Sequence, residues 1–359
     1  MNSVFHLKGL NGIRAIAAFS VVAAHIIHGL EFFGLPKREG LEMAGYGVTM
    51  FFTLSGYLIT YLLIIEKEKF KDISIRKFYV RRILRIWPLY FFYLIVSLVL
   101  LYFLSGYEIT GNVLFYFFLL ANVPYILGFQ FPVIGHFWLL GVEEQFYLFW
   151  PWVVLKVKNT LKWVVVFVII LMGLKVLSWI YFSKTGNNVP LFAIHITRFH
   201  CMGIGAIGAF LVFEKNEYFI KVVTHLSTQI ILIVALLFCA VDKFHISYII
   251  DDEIISLLSV VLIVNVSLNP KSLLKLDNKV LDYLGKISFG IYVYHPLVIF
   301  LLSYLIKDYI HGMSYAYQYV IISVLVVFFT IIVAAISYNY FEKPFLQLKD
   351  KFARISSSG

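Results

Sequence analysis

The chain alternates long apolar runs with short polar connections, and the runs have the length of membrane spans. Eleven runs can be recognised: residues 10–30, 43–65, 87–105, 112–131, 138–155, 162–182, 198–213, 228–242, 254–268, 287–306 and 317–340. A helix of about 20 residues crosses a hydrocarbon core of about 30 Å, because each residue adds about 1.5 Å. The pattern therefore predicts an all-α fold, a polytopic integral membrane helical bundle.

The positions of lysine and arginine predict how this bundle is oriented, because these residues favour cytoplasmic connections. Residues 66–86 contain eight of them, whereas the connection at 105–112 contains none. If residues 112–131 enter the membrane and return, the cytoplasmic connections hold 22 basic residues and the external ones hold five. We therefore expect about ten transmembrane helices, one re-entrant or interfacial segment at 112–131, and both termini in the cytoplasm.

Composition agrees with a membrane protein and narrows its partners. The 359 residues are 61% hydrophobic and 14% charged, with a mean hydropathy of +0.88, whereas soluble domains are about 25% charged. We expect one membrane domain over residues 1–350 and a disordered polar tail over 351–359. The net charge of +10 fits basic residues facing anionic lipid headgroups, so no nucleic-acid partner is expected. The two cysteines show no metal-ligand spacing, and no metal is expected.

The first apolar run carries two polar residues that need an explanation. A charge near the centre of a bilayer costs at least about 2.5 kcal/mol, so Arg14 requires a partner, a water-filled cavity or an interfacial position. His25 follows eleven residues later, which places both side chains on one face of a helix and about 16 Å apart in depth. We expect them to line one groove, with Arg14 near the cytoplasmic surface. Taken singly, each residue also fits snorkelling or a hydrogen bond between helices.

A second basic feature lies where the third predicted span enters the membrane. Arg82 and Arg85 are three residues apart, so they share one face of a helix just before Trp87 and Pro88. Two guanidinium groups can hold phosphate oxygens bidentately. Their spacing fits the binding of a specific phosphorylated ligand. It also fits a role in setting the membrane topology and contacting lipid headgroups.

Two adjacent glutamates interrupt the run at 138–155. Neighbouring helical positions point about 100° apart, so at most one of Glu143 and Glu144 faces the same groove as His25. Counting residues from Trp138 places Glu143 at the depth of His25, where its carboxylate would orient the imidazole. Under the opposite topology, Glu143 would lie beside Arg14 as an ion pair.

Six motifs, in order, resemble those of the membrane-bound acyltransferase-three family, which includes bacterial O-acetylases of envelope polysaccharides. They are "LNGIRAIAAFSVVAAHI" (10–26), "FFTLSGYLIT" (51–60), "RRILRIWPLY" (81–90), "FWLLGVEEQFYLFWP" (137–151), "ISFGIYVYHP" (287–296) and "SYNYFEKPF" (337–345). The resemblance covers nearly the whole chain. One position departs from it: the residue after Trp138 is commonly serine in the family and is Leu139 here.

The resemblance implies an enzyme of the bacterial cytoplasmic membrane. It implies transfer of an acyl group, usually acetyl, from cytoplasmic acyl-CoA to a hydroxyl of a glycan, lipid-linked sugar or similar acceptor. Arg82 and Arg85 would then bind the phosphates of acetyl-CoA, and Arg14 would guide its pantetheine arm. His25 would act as general base, oriented by Glu143. Ser55, in the second motif, is interpreted as a packing residue rather than a nucleophile.

Two other classes of function remain open from the residues alone. A proton-coupled secondary transporter would use Arg14, His25 and Glu143 as a relay and substrate site. A non-catalytic scaffold for glycan assembly would leave the shared helix face of Arg14 and His25 unexplained. The absence of a visible internal repeat and the arginine pair favour the acyltransferase over the transporter.

Overall fold

The regular secondary structure of residues 8–36 and 41–355, which the computed structural model describes, is entirely helical. The helices are α1 Leu10–His28, α2 Met43–Phe70, α3 Ile75–Ser105, α4 Val113–Phe117, α5 Asn122–Leu127, α6 Trp138–Lys156, α7 Thr160–Thr185, α8 Val189–Thr197, α9 Phe199–Phe213, α10 Glu217–Thr224, α11 Leu226–Ala240, α12 Asp251–Leu268, α13 Lys279–Lys286, α14 Ser288–Ile310, α15 Tyr315–Ile336 and α16 Lys343–Asp350. Helices satisfy their own backbone hydrogen bonds, which an apolar chain in lipid requires.

Seven helical segments of the described chain are long and apolar enough to cross a membrane. They are Leu10–Phe33, Met43–Phe70, Ile75–Ser105, Thr160–Thr185, Val189–Phe213, Ser288–Ile310 and Tyr315–Asp350. The pair α10 and α11, bent by 54°, would make an eighth if it forms one broken span. The chain is therefore a multi-pass membrane protein, as expected. The termini that were expected in the cytoplasm include residues 1–7 and 356–359, which lie outside the described residues.

The basic stretch at 66–86 is mostly helical, whereas its charge suggested a loop. The second helix continues to Phe70 and the third begins at Ile75, so the connection is only four residues long. The carboxylate of Glu66 holds this connection in place. It accepts a hydrogen bond from the backbone N–H of Ser74 at 2.9 Å and pairs with Arg81 at 3.5 Å. Helices can extend beyond the hydrocarbon core, and their projecting ends carry the basic side chains.

Residues 112–131 form two short helices, α4 and α5, of five and six residues. Neither reaches the length of a span, which needs about 17 residues. Buried side chains satisfy the irregular backbone around them: the Tyr90 hydroxyl donates to the Tyr116 carbonyl at 2.7 Å and the Tyr93 hydroxyl to the Val133 carbonyl at 2.9 Å. Irregular backbone at membrane depth is tolerated where protein buries it in this way.

The core of the bundle is built around α2 and the α8–α9 pair. Each has 72% of its most apolar stretch buried, against 17% for α7, which is therefore an outer helix. Contact between α2 and α9 depends on glycine. A Cβ added at Gly56 would overlap the backbone of Met202, and one at Gly205 would overlap the carbonyl of Thr53. Small residues thus let these two backbones touch.

A buried cluster of charges joins four of the helices. Arg198 pairs with Asp252 of α12 at 3.3 Å and donates from Nη1 to the Gly45 carbonyl and the Thr49 hydroxyl, both at 2.9 Å. His195 pairs through Nδ1 with the same carboxylate at 2.9 Å. One aspartate therefore connects α12 to the α8–α9 junction, while the arginine ties this junction to α2.

The cluster continues from α12 to the outer helix α7. Lys175 contacts Glu253 through Nζ at 3.0 and 3.1 Å and Asp252 at 3.6 Å. His200 Nε2 lies 3.2 Å from Glu253. Two cations therefore face two carboxylates, so formal charge balances within a cluster that is almost completely buried. A buried charge without such a partner is strongly destabilising.

Removing one carboxylate tests this balance. We expect Asp252→Asn to lower the free energy of unfolding by about 3 to 5 kcal/mol, because Arg198 and Lys175 lose a buried counter-charge. Thermal denaturation of the purified protein in detergent measures the change. Glu68→Gln is the control, since Glu68 pairs with Lys71 at an exposed site where such pairs contribute about 0 to 1 kcal/mol. Equal stability of the two variants would contradict this account of the cluster.

The sidedness of α7 is also testable, because Lys156, at the end of α6, and Asn187 lie just before and just after it. Cysteines introduced at these positions should react with an impermeant maleimide from opposite sides, with Lys156→Cys labelled from the cytoplasm. Background labelling should be low, since Cys201 and Cys239 are both buried. External labelling at position 156 would overturn the orientation, and labelling of both cysteines from one side would show that α7 does not cross.

Candidate functional site

The three arginines singled out in the sequence share one cavity of about 470 Å³. Arg14 reaches it from α1, Arg82 and Arg85 reach it from α3, and Glu143 reaches it from α6. We call this space the arginine cavity. Its charged wall combines side chains from parts of the chain more than 50 residues apart in sequence, as the prediction of a common site required.

Contacts within the protein orient these arginines without neutralising them. Arg14 donates from Nη1 to Asn11 Oδ1 at 2.9 Å. The guanidinium of Arg82 lies 5.9 Å from the ring centroid of Phe78 and 5.7 Å from that of Tyr147, and its buried Nε has no hydrogen-bond partner. In the described chain, no ion pair joins a carboxylate to any of the three guanidinium groups. The cavity therefore presents positive charge that an anionic ligand can offset.

The cytoplasmic mouth predicted for this site is bordered by the short helix α13. Lys279 and Lys286 of this helix line the cavity, and Lys286 pairs with Asp282 at 2.7 Å. The hydrogen bond from Lys286 to this carboxylate raises the pKa of the lysine above its ordinary value, so it stays protonated at neutral pH. Asn11 of α1 donates to Asp282 at 2.9 Å, which fixes α13 against the first helix.

The two adjacent glutamates point to different surroundings, as their helical spacing predicted. Glu143 lines the arginine cavity and accepts a hydrogen bond from the Ser55 hydroxyl at 2.5 Å. Glu144 accepts one from Trp87 Nε1 at 3.1 Å. Ser55 therefore does more than pack α2 against its neighbours, because it holds the carboxylate of Glu143 at the cavity wall.

The expected contact between Glu143 and His25 is absent, and this corrects the proposed orienting role. The depth of Glu143 was counted from Trp138 as if α6 began at the outer surface. Instead Phe137 is completely buried and its ring stacks on Tyr90 at 4.3 Å, so α6 begins inside the bundle. Five residues further along the helix, Glu143 therefore reaches the cavity of Arg14, the neighbour expected under the alternative topology.

His25 opens into a second cavity of about 500 Å³, which we call the histidine cavity. Its polar wall includes His28, His136, His195 and Arg198. The Nδ1 atom of His25 lies 2.9 Å from the Val21 carbonyl. Because a carbonyl only accepts hydrogen bonds, Nδ1 carries the proton and Nε2 is left with a free lone pair. His25 therefore has the tautomer required of a general base.

Arg14 and His25 thus face two adjoining cavities rather than the single groove expected from their spacing. Tyr292 of α14 lines both cavities and packs edge to face against Phe51 of α2, with ring centroids 6.3 Å apart. Tyr292 therefore lies between the two cavities, and Phe51 borders the arginine cavity beside it. Arg14 and His25 therefore line two sites at different depths along the same helix.

Some residues of this region could not be assigned from the sequence. His136 lies in a short turn before α6, where no periodic pattern marks it. The charge of Arg198 inside an apolar run indicated that it needs a partner. The sequence could not identify that partner, Asp252, because it lies 54 residues further along the chain. Among the described residues, no group of three His, Cys, Asp or Glu side chains is arranged to hold a metal ion.

Comparison with known proteins agrees with this architecture. The family described as "Acyltransferase domain" matches residues 7–338. The "O-acetyltransferase OatA" of Staphylococcus aureus strain NCTC 8325 is 29% identical over 370 residues, which cover 96% of this chain and 58% of the relative, and the protein of the same name from strain COL gives the same values. The chain thus spans little more than half the length of these relatives.

No solved structure matches the chain significantly. The family assignment therefore rests on the match over most of the sequence and on the six motifs, five of which supply residues of the two cavities. The chain belongs to the acyltransferase-three family of membrane proteins, as its motifs predicted.

Proposed function

We propose that this protein is an O-acetyltransferase that takes the acetyl group from cytoplasmic acetyl-CoA and transfers it to a hydroxyl of a carbohydrate-containing acceptor. The observation that carries the proposal is the pair of cavities along α1. One presents unneutralised arginines, the other presents a histidine with a free lone pair, and they share Tyr292. A donor with phosphates needs a cationic site such as the first, and an acceptor hydroxyl needs a base such as the second provides.

In this proposal the arginine cavity binds the donor. Arg82 and Arg85 bind the phosphates of acetyl-CoA, because each guanidinium can make two parallel hydrogen bonds to phosphate oxygens. Arg14, on α1, lines the same cavity and contacts the donor further along its length. Glu143, held by Ser55, accepts a hydrogen bond from an amide N–H of the pantetheine arm. This role replaces the orientation of His25.

The histidine cavity then holds the acceptor. His25 Nε2 takes the proton of the acceptor hydroxyl as its oxygen attacks the thioester carbonyl of the donor. An ester bond forms, the carbon–sulfur bond breaks, and CoA leaves as a thiolate that regains a proton. The pantetheine arm carries the thioester past Tyr292, so the two substrates meet at the wall that the cavities share.

The same proposal extends the membrane topology to ten spans. Helices α6 and α12 have 19 and 18 residues, enough to cross, although their glutamates and aspartates make them less apolar than the seven recognised segments. With the bent α10–α11 pair they bring the number to ten. The α4–α5 segment is then re-entrant, both termini are cytoplasmic, and the membrane is the bacterial cytoplasmic membrane. The excess of basic residues on one side supports this arrangement.

A secondary transporter is less well supported by the geometry. It would need Arg14, His25 and Glu143 around one substrate. The structure instead separates His25 from the other two residues.

The donor site is tested by replacing two arginines together. We expect the double variant Arg82→Gln and Arg85→Gln to bind acetyl-CoA about 10- to 1,000-fold more weakly, because each charge-assisted contact contributes about 1.5 to 3 kcal/mol and the remaining cations of the cavity offset part of the loss. Isothermal titration of the purified protein measures the affinity. Arg76→Gln with Lys77→Gln is the matched control, since these two cations are exposed on the same helix. Equal affinity of the two double variants would show that the arginine pair serves topology alone.

The two polar residues of α1 should affect different steps. We expect His25→Ala to reduce acetyl transfer about 10²- to 10⁴-fold while acetyl-CoA affinity stays near that of the wild type, since a general base has been removed. Arg14→Ala should weaken acetyl-CoA binding instead. Transfer is measured with radiolabelled acetyl-CoA in inside-out membrane vesicles from the producing cell, which contain the natural acceptor.

His311→Ala is the control for these variants, because His311 is exposed at the C-terminal end of α14 and lies outside both cavities. It should transfer acetyl normally. Near-normal transfer by His25→Ala would eliminate the histidine as the base. Label incorporation in right-side-out vesicles, equal to that in inside-out ones, would contradict a cytoplasmic donor site.

A further inference from the structure

Three imidazole rings meet next to the histidine cavity. The ring of His295, in α14, lies with its centroid 4.8 Å from that of His25 and 5.4 Å from that of His136. His136 is 5% exposed and His295 is completely buried. The mechanism described above uses only His25, so two buried titratable groups in contact with the base have no assigned role.

Each ring has one nitrogen held by a backbone carbonyl. The three pairs are His25 Nδ1 with Val21 O at 2.9 Å, His295 Nδ1 with Ile291 O at 3.3 Å, and His136 Nε2 with Val293 O at 3.2 Å. A carbonyl accepts but cannot donate, so each of these nitrogens carries the hydrogen. The other nitrogen of each neutral ring is therefore an acceptor.

The acceptor nitrogens of the two deeper rings have nothing to accept from. His295 Nε2 and His136 Nδ1 are both buried and have no hydrogen-bond partner. Buried polar atoms are usually satisfied, so two orphan acceptors in contact with a proposed base need an explanation. The orphan acceptors are explained if the cluster takes up a single proton, because a protonated imidazole donates hydrogen bonds from both nitrogens. The nitrogens left over in the neutral cluster are all acceptors, whereas protonation of one ring turns one of them into a donor.

No carboxylate balances a proton at this place. Within the described chain, the ion pairs of histidine involve His195, His200 and His245 and none of the three clustered rings. The other titratable rings in contact with the cluster are His28, Tyr93 and Tyr292, which are formally neutral in their ordinary states. A positive charge formed on His25 can therefore be shared only with other imidazoles.

We propose that His295 and His136 extend His25 into a proton relay, which receives the acceptor's proton during acetyl transfer. This inference rests on the proposed function. The hydroxyl oxygen forms the ester bond, its proton moves to His25 Nε2, and the carbon–sulfur bond breaks to release the CoA thiolate. The proton is shared with His295 and His136 and finally protonates that thiolate, so atoms and charge balance. His295 acts through His25 and is a positioning residue.

Conservative substitutions of the buried rings test the relay. His295→Gln and His136→Gln keep polar side chains of similar size but cannot hold a proton. We expect each to lower acetyl transfer from radiolabelled acetyl-CoA by at least about 10-fold, toward the lower range for an acid–base group, with acetyl-CoA affinity unchanged. His311→Gln is the matched control, because it removes an exposed imidazole at the C-terminal end of α14, the helix that carries His295, and lies outside both cavities. It should transfer acetyl at the wild-type rate.

A base added from solution separates proton transfer from a structural role. In His295→Ala, the space of the lost ring adjoins the histidine cavity through His25 and Pro296. Imidazole should therefore restore part of the transfer rate, while pyrazole, which has a similar shape but is a much weaker base, should not. Restoration by both compounds, or by neither, would show that the ring only fills space.

The outcomes also distinguish this inference from the function on which it rests. If wild-type vesicles incorporate no label from acetyl-CoA, the proposed donor and the relay both fail. If the wild type is active and requires His25, but His295→Gln and His136→Gln behave as His311→Gln does, only the relay fails. Loss of acetyl-CoA affinity in the two glutamine variants would also overturn the relay, because it would indicate a general structural defect.

Discussion

A charge inside an apolar helix bundle is stable only where a partner or an aqueous cavity compensates for its lost hydration, and this constraint organises the whole molecule. The protein meets it in two ways. Arg198 and Lys175 are neutralised internally by Asp252 and Glu253, which ties four helices together. The guanidinium groups of the arginine cavity form no ion pair with a carboxylate of the described chain, and they remain open to a ligand. The internal ion pairs stabilise the bundle, whereas the unpaired arginines are available to bind an anionic ligand.

The first helix shows how these arrangements combine. Its buried face packs against α2, α13 and α14, so it is held along its whole length. Two polar residues on that helix can therefore be presented rigidly to separate cavities. Sites supported by packed helices hold their geometry better than sites on loops, which acid–base chemistry requires. The hydrogen bond from His25 to the Val21 carbonyl belongs to the same support, because it selects the tautomer through the helix backbone itself.

Local periodicity was sufficient to predict a large part of this structure. Apolar runs marked the helices, and three-residue spacing placed Arg82 and Arg85 together, because both features depend on one helix at a time. The pairing of Glu143 with His25 was wrong because it depended on where α6 begins, and the buried turn before it shifts that point. The partners Ser55, Asp252 and His136 come from distant parts of the chain. Only the packing of whole helices determines such contacts.

The eleven residues between Arg14 and His25 have a further consequence for the choice of donor. At about 1.5 Å per residue they separate the two side chains by about 16 Å along a helix that cannot easily bend. In the proposed mechanism this distance sets the minimum length of the donor. Only a donor with a flexible arm of comparable reach can keep its anionic end among the arginines while its thioester arrives at the imidazole. Short thioesters would be rejected by geometry, whatever their chemical reactivity.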